Sequence, residues 1–197
     1  WGPHHMAYPG TITLRADTLL QLCMDIGESL IFHGFKRLVF INGNRVANLP
    51  PMETAASRLR FQTGAFVAVA DAGLIAKSAV HEVCESPEGG LGHAGESETA
   101  YTLYRNPDLV DMDLAMNADR KPGRFGLSHK PFEPPWEGDT VYVPRTDADM
   151  RRTTEATRGI AGSASLATPE KGERIHEILS DALVDFIETH VRPSTVE

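Results

Sequence analysis

The stretch Leu38-Val39-Phe40-Ile41-Asn42-Gly43-Asn44-Arg45 decides the fold class of the chain. Four consecutive apolar residues run into a polar turn that contains glycine. A parallel strand covered on both faces by helices is apolar on consecutive positions in this way. In an open α/β sheet the carboxyl end of such a strand is where ligands and metals are bound. Upstream, from about Asp17, residues Leu19, Leu20, Cys23, Ile26, Leu30 and Ile31 recur at helical spacing, and Gly34 supplies the stop. Helix, short turn and buried strand make half of a βαβ unit whose preceding strand is not in the sequence.

Downstream, Pro50-Pro51 is placed to open a helix, since proline is tolerated in a first turn. Met52, Ala55, Ala56, Leu59 and Phe61 then carry a weak periodicity toward Gly64. Phe66 to Ala70 predicts a second buried strand, and a helix-like stretch from Leu74 to Val83 is broken by the glycine-rich segment Glu88 to Gly95. A short helix begins near Glu96 and stops before Asn106-Pro107. Prolines and glycines are dense between Pro122 and Pro144, which reads as a long ordered loop or an oligomer-forming arm. The last helix has Thr168 as N-cap, Pro169 at its first position and Glu170 complementing the dipole. Its stripe of Ile175, Ile178, Leu179, Ala182, Leu183, Phe186 and Ile187 must pack on a sheet or a neighbouring subunit.

At 197 residues, 41% hydrophobic and 23% charged, the chain has the composition of an ordinary globular protein. It reads as one domain over residues 1–197, or as the carboxyl-terminal portion of one. The opening Trp1-Gly2-Pro3-His4-His5-Met6 has no initiator methionine and looks like the middle of a loop, as expected of a processed chain or one piece of a larger enzyme. A net charge of −8 argues against a nucleic-acid partner, which would call for a basic face. No stretch approaches the roughly 20 apolar residues of a membrane span, and no signal peptide opens the chain. A cytoplasmic protein with no membrane partner is the expectation. Cys23 and Cys84 are too few for a disulfide scaffold and are expected to be buried and reduced.

The polar cluster Gly92-His93-Ala94-Gly95-Glu96-Ser97-Glu98-Thr99 is the natural partner of the Asn44 turn. His93, between glycines on a loop leading into a helix, suits a general acid or base because imidazole titrates near neutrality; a plain hydrogen-bonded loop histidine would look the same. Glu96 and Glu98 point in different directions, so one can face a site while the other is solvated. Glu98 is equally a helix-start carboxylate answering the dipole. Thr11 and Thr13 could line a pocket or cap the helix that follows, capping being the commoner role. No serine or cysteine sits in a Gly-x-Ser-x-Gly elbow, and no dinucleotide fingerprint is present.

Four segments occur together in order: His5-Met6-Ala7-Tyr8-Pro9-Gly10-Thr11-Ile12-Thr13-Leu14, Phe40-Ile41-Asn42-Gly43, Gly92 to Thr99, and Gly159 to Gly172 with Leu166-Ala167-Thr168 and Glu170-Lys171-Gly172. On these the chain resembles the creatininase family of metal-dependent amidohydrolases. The resemblance implies a three-layer α/β/α sandwich with a mainly parallel sheet, and hydrolysis of a C–N amide bond assisted by zinc or manganese. It implies that Glu98 is a metal ligand and that His93 gives a proton to the departing nitrogen. The glycines Gly92 and Gly95 would let substrate approach the backbone. Asn44 stands where the family has a histidine ligand, and an amide oxygen is a poor ligand for these ions. Family members begin with two further strands that carry a Glu-x-His pair and a bridging aspartate. One carboxylate cannot hold a catalytic zinc, which takes about three protein ligands.

Three readings follow. In the first, the chain is an amidohydrolase for a small or cyclic amide other than creatinine, with part of its metal site on a missing segment or another chain. In the second, it is a non-catalytic structural or regulatory subunit. The third is a metal-free binding module using His93, Glu96 and Arg45. Because half a βαβ unit leaves a sheet edge open, a homo- or hetero-oligomer is expected.

Overall fold

The computed structural model describes residues 1–86, 90, 92–118 and 146–192, with the backbone alone for residues 45, 46, 153 and 154. The arm expected over 122–144 lies outside the described residues. After a 3-10 turn at Pro3–Ala7 come α1 (Ala16–Phe32), β1 (Arg37–Asn42), α2 (Arg45–Thr63), β2 (Phe66–Asp71), α3 (Lys77–Val83) and α4 (Glu96–Arg105). Then follow β3 (Asn117–Ala118), α5 (Asp147–Thr154), β4 (Gly162–Ser163) and α6 (Pro169–Phe186), which runs on into a π turn at Ile187–Val191.

Strands β1 and β2 are parallel, in register from Arg37 opposite Phe66 to Asn42 opposite Asp71, with α2 as the crossover. The expected parallel sheet is therefore present in this pair. The described strands do not extend it: β3 and β4 form a separate antiparallel ladder of two residues each. Nor is β1 covered on both faces, since Ile41 is 58% exposed. The four apolar residues in a row predict cover that this edge strand does not receive among the described residues.

The main core lies between α1, α2 and the sheet: Cys23, Met24, Leu38, Met52, Ala55, Ala56, Leu59, Ala65 and Val67. Leu59 fills the space left by Gly27, where an added Cβ would fall 2.4 Å from Leu59 Cδ1. Burying Leu59 contributes about 1.5–3 kcal/mol. A second core of Val80, Ala100, Ala167 and Ile175 joins α3, α4 and α6. Here Gly172 allows the closest approach, because a Cβ at that position would fall 2.0 Å from the Ala100 carbonyl oxygen.

Several boundaries differ from expectation for physical reasons. Helix α2 starts at Arg45 rather than at the prolines, its first turn closed by Asn48 N–H donating to the Asn44 carbonyl at 3.2 Å. Pro50 and Pro51 then lie inside the helix, where each removes one ladder hydrogen bond. The Leu74–Val83 stretch is helical only from Lys77, after a turn in which Leu74 and Ile75 both donate to the Asp71 carbonyl. Only Ile175 of the expected α6 stripe is fully buried, with Ile178 and Leu179 packed against the second core. Cys23 is buried but Cys84 only half-buried, and both are free thiols. Among the described residues no helix is long and apolar enough to cross a membrane.

Candidate active site

The carboxyl ends of β1 and β2 are joined by one buried polar pair. Asn42, 1% exposed, donates from Nδ2 to Asp71 Oδ2 at 2.8 Å and accepts the Asn44 N–H on Oδ1 at 3.1 Å. Asp71 Oδ1 in turn accepts the Gly73 N–H at 3.0 Å. One Asn–Asp contact thus sets the turns after both strands, and its buried polar atoms are satisfied as such groups must be. Asp71 carries no motif; the signal in the sequence was only its place as the polar end of a second apolar strand. Asn44 is exposed and N-caps α2 with no hydrogen bond from its side chain. Arg45 is the first residue of α2.

The opening segment runs as a strap from the first turn of α2 to the His93 loop. The Trp1 amino group donates to Asn48 Oδ1, and Gly2 N–H donates to Thr13 Oγ1 at 2.9 Å. Thr11 is half-buried, and Thr13 secures the strap; neither caps α1, whose N-cap is Arg15. On the strap, the His5 ring lies 5.1 Å from that of His93, edge to face, and 4.0 Å from that of His4. Burial first, and then the chain's amino-terminal charge, holds the His5 imidazole below its ordinary value.

The loop that carries His93 is fixed through its backbone. The His93 carbonyl accepts the Ala161 N–H at 2.8 Å, and Gly95 N–H bonds to the Gly92 carbonyl at 3.0 Å. Gly92 has to be glycine, since a Cβ there would fall 1.7 Å from the Ala161 carbonyl oxygen. Gly95 is buried as the N-cap of α4, a Cβ on it meeting the Gly92 and Gly90 carbonyls at 3.2 and 3.3 Å. Close backbone packing is thus the demand that the structure makes of both glycines. Ala94 takes a positive φ of 46°, and its N–H donates to Glu98 Oε2 at 2.9 Å. Glu98 is exposed and reaches back over the loop from the first turn of α4.

Glu96 behaves in the opposite way. It is 0% exposed, and its carboxylate accepts the N–H groups of Glu85 at 3.0 Å and Ser86 at 2.8 Å. The Lys171 ammonium donates to it at 2.5 Å, to Glu85 Oε1 at 2.7 Å and to the Leu166 carbonyl at 2.8 Å. Burial pushes the Glu96 carboxyl up, but Lys171 and the two amides outweigh it and hold the group below its ordinary value. Glu96 is therefore spent on structure, which removes it from the binding module considered above. Lys171 was not singled out from the sequence, although a signal existed. A cation three positions after an N-cap opposes the helix dipole, so it needs a specific carboxylate partner. Beside this pair, burial and then the Glu96 charge push the Cys84 thiol up to about 11, which keeps it protonated at neutral pH.

Among the described residues no group of three histidine, cysteine, aspartate or glutamate side chains could hold a metal ion. The Asn44 amide and the single carboxylate of Glu98 do not fit a catalytic divalent ion, which takes about three protein ligands. Two open depressions are evident among the described residues, the second at the carboxyl end of β2. One of about 350 Å³ lies on α1 beside Arg15, Asp17 and Gln21, and one of about 330 Å³ is lined by Asp71, Glu53, Leu74 and Phe186. Neither contains His93.

Comparisons with known proteins identify the family. The family described as creatininase, creatinine amidohydrolase, matches residues 1–187. Creatinine amidohydrolase of Pseudomonas putida is 32% identical over 197 residues, an alignment that takes in 95% of this chain and 68% of that protein. Mycofactocin precursor peptide peptidase of Mycobacterium ulcerans (strain Agy99) is 33% identical over 109 residues, 55% of this chain and 37% of that protein. A solved structure of a mutant creatininase complexed with creatine matches with a TM-score of 0.64 at 29% identity, covering 94% of this chain and 69% of the other. The chain belongs to the creatininase family.

Proposed function

We propose that the chain is an amidohydrolase acting on a C–N bond of a small or cyclic amide other than creatinine, with His93 as the residue that moves the proton. The observation that carries this reading is the placing of His93. Its backbone is locked between Ala161 and the start of α4, and its ring packs on the strap that also covers the first turn of α2. Hydrolysis transfers the acyl carbon from nitrogen to a water oxygen, and the departing nitrogen must gain a proton. Imidazole is the side chain best suited by its chemistry to give and take a proton in this way. Family membership supports the reaction class, since two relatives are named as an amidohydrolase and a peptidase.

A divalent ion, zinc or manganese, belongs to this proposal, with Glu98 as one ligand and the others drawn from outside the described residues or from a partner subunit. Thr11 and Arg45 are proposed to face the substrate, and the cytoplasm is the proposed location. The test is hydrolysis of a panel of cyclic and linear amides by wild type and His93→Gln, each with added zinc or manganese. Wild-type turnover that falls by about 10²–10⁴ in His93→Gln is the expected outcome. Turnover of no amide, or equal turnover by both proteins, overturns the reading.

Asn44 favours a second reading, that of a non-catalytic subunit paired with an active homologue. Its exposed side chain makes no cap bond at a position where an imidazole would be a far better ligand. Metal per chain separates the two. If Asn44→His gains both a stoichiometric ion and amide hydrolysis that wild type lacks, the chain is a disabled enzyme rather than a scaffold, whereas no gain of either favours the scaffold.

A further inference from the structure

We propose that His5 is the positioning residue for His93 and acts through the shape of its ring rather than through its nitrogens, a proposal that rests on the reading of His93 as the proton-transfer residue. His5 stands between two other rings, His4 at 4.0 Å and His93 at 5.1 Å with the planes at 89°. An edge-to-face contact at that separation is a favourable aromatic geometry. The Nε2 atom of His5 is buried and meets no hydrogen-bond partner among the described residues. Gly2 closes on the other nitrogen, where an added Cβ would fall 2.9 Å from Nδ1.

A histidine retained for hydrogen bonding would have its buried nitrogen satisfied, since an unpaired buried polar atom is costly. What this ring supplies instead is a flat, rigid wall. The wall is anchored without help from His93: His5 N–H donates to the Gly2 carbonyl at 3.0 Å, and Tyr8 N–H donates to the His5 carbonyl at 2.9 Å. Arg151 adds a bond to the Met6 carbonyl at 3.4 Å. The His93 carbonyl is held by Ala161, and the His5 ring stands against the His93 ring and narrows its side-chain torsions. A proton donor fixed in direction before substrate arrives loses no orientational freedom during the reaction.

The test is NMR of the full chain labelled in its histidine rings, with the His93 signals identified by their loss in His93→Gln. Wild type, His5→Phe and His5→Ala are compared. A cross-peak between the two rings and a ring-current displacement of the His93 signals are expected in wild type. Both should have counterparts in His5→Phe and vanish in His5→Ala, with the Tm of His5→Phe equal to or above that of wild type. Where His5→Ala does not fold, His5→Leu fills the space without a ring and is read in the same way. Unchanged His93 signals without the ring overturn the proposal. So does a His5→Phe protein that behaves like His5→Ala, because a nitrogen would then be the holding group. Failure of the ring coupling leaves the hydrolase reading standing, whereas coupled rings in a chain that hydrolyses no amide overturn the hydrolase reading and with it the positioning role, leaving only a structural ring contact.

Discussion

Glu96 and Glu98 stand two positions apart at the start of α4, and residue chemistry separates them completely. Glu96 is enclosed with Lys171 and two backbone amides, so breaking the pair strands a buried charge. Lys171→Met should cost about 3–5 kcal/mol at neutral pH by urea unfolding. The pH dependence follows from the two shifts. Glu96 is held below its ordinary 4.5, so its contribution is present above that pH and is lost as pH falls through the lower folded value. Burial alone would lower Lys171, but Glu85 and Glu96 hold it above its ordinary 10.5. Its contribution is present below that pH and is lost as pH rises through the higher folded value. The difference between wild type and Lys171→Met should therefore be flat near neutrality and narrow in acid once Glu96 takes a proton. A gap that widens in acid would contradict the pairing. Asn42→Ala should likewise cost about 1–3 kcal/mol by urea unfolding, because it leaves Asp71 and the Asn44 amide without their shared partner. The opposite directions of the two glutamates were legible from their spacing, but which one turns inward was not. That depended on Lys171, 75 residues away in sequence.

At the scale of elements, close approach explains more than propensity does. Glycine inside a helix normally gains about 0.5–1 kcal/mol of stability on change to alanine. In Gly172→Ala the sign should reverse, since the methyl would meet the Ala100 carbonyl at 2.0 Å and Tyr104 Cβ at 2.8 Å. Moving α6 off α4 should cost about 1–3 kcal/mol, measured as a fall in Tm, and a rise in Tm would contradict the contact. The start of α6 was readable because Thr168 and Pro169 carry a local signal, and the Thr168 hydroxyl does accept the Lys171 N–H at 3.3 Å. Helix α1 was readable from its periodicity. The start of α2 was not, because proline usually marks a first turn and here lies beyond it. Helix α5 was missed although Thr146 and Asp149 form a capping box visible within four residues. Too few apolar residues follow that box to announce a helix.

For the whole molecule, the opening strap links the first turn of α2, just past the Asn44 turn, to the His93 loop, a link that no periodicity revealed. The Trp1 end of the strap touches α2, and its His5 ring touches His93. The proposed function centres on proton delivery from His93 to a departing nitrogen, a claim that leaving-group dependence tests directly. Amides of a strongly basic amine need the proton as the C–N bond breaks, while activated anilides, whose nitrogen leaves as a weak base, need it far less. The decisive measurement is kcat of wild type and His93→Gln on a matched alkyl amide and nitroanilide. The account predicts a loss of about 10²–10⁴ on the alkyl amide and a much smaller loss on the nitroanilide. Equal losses on both, or no loss on either, would contradict it.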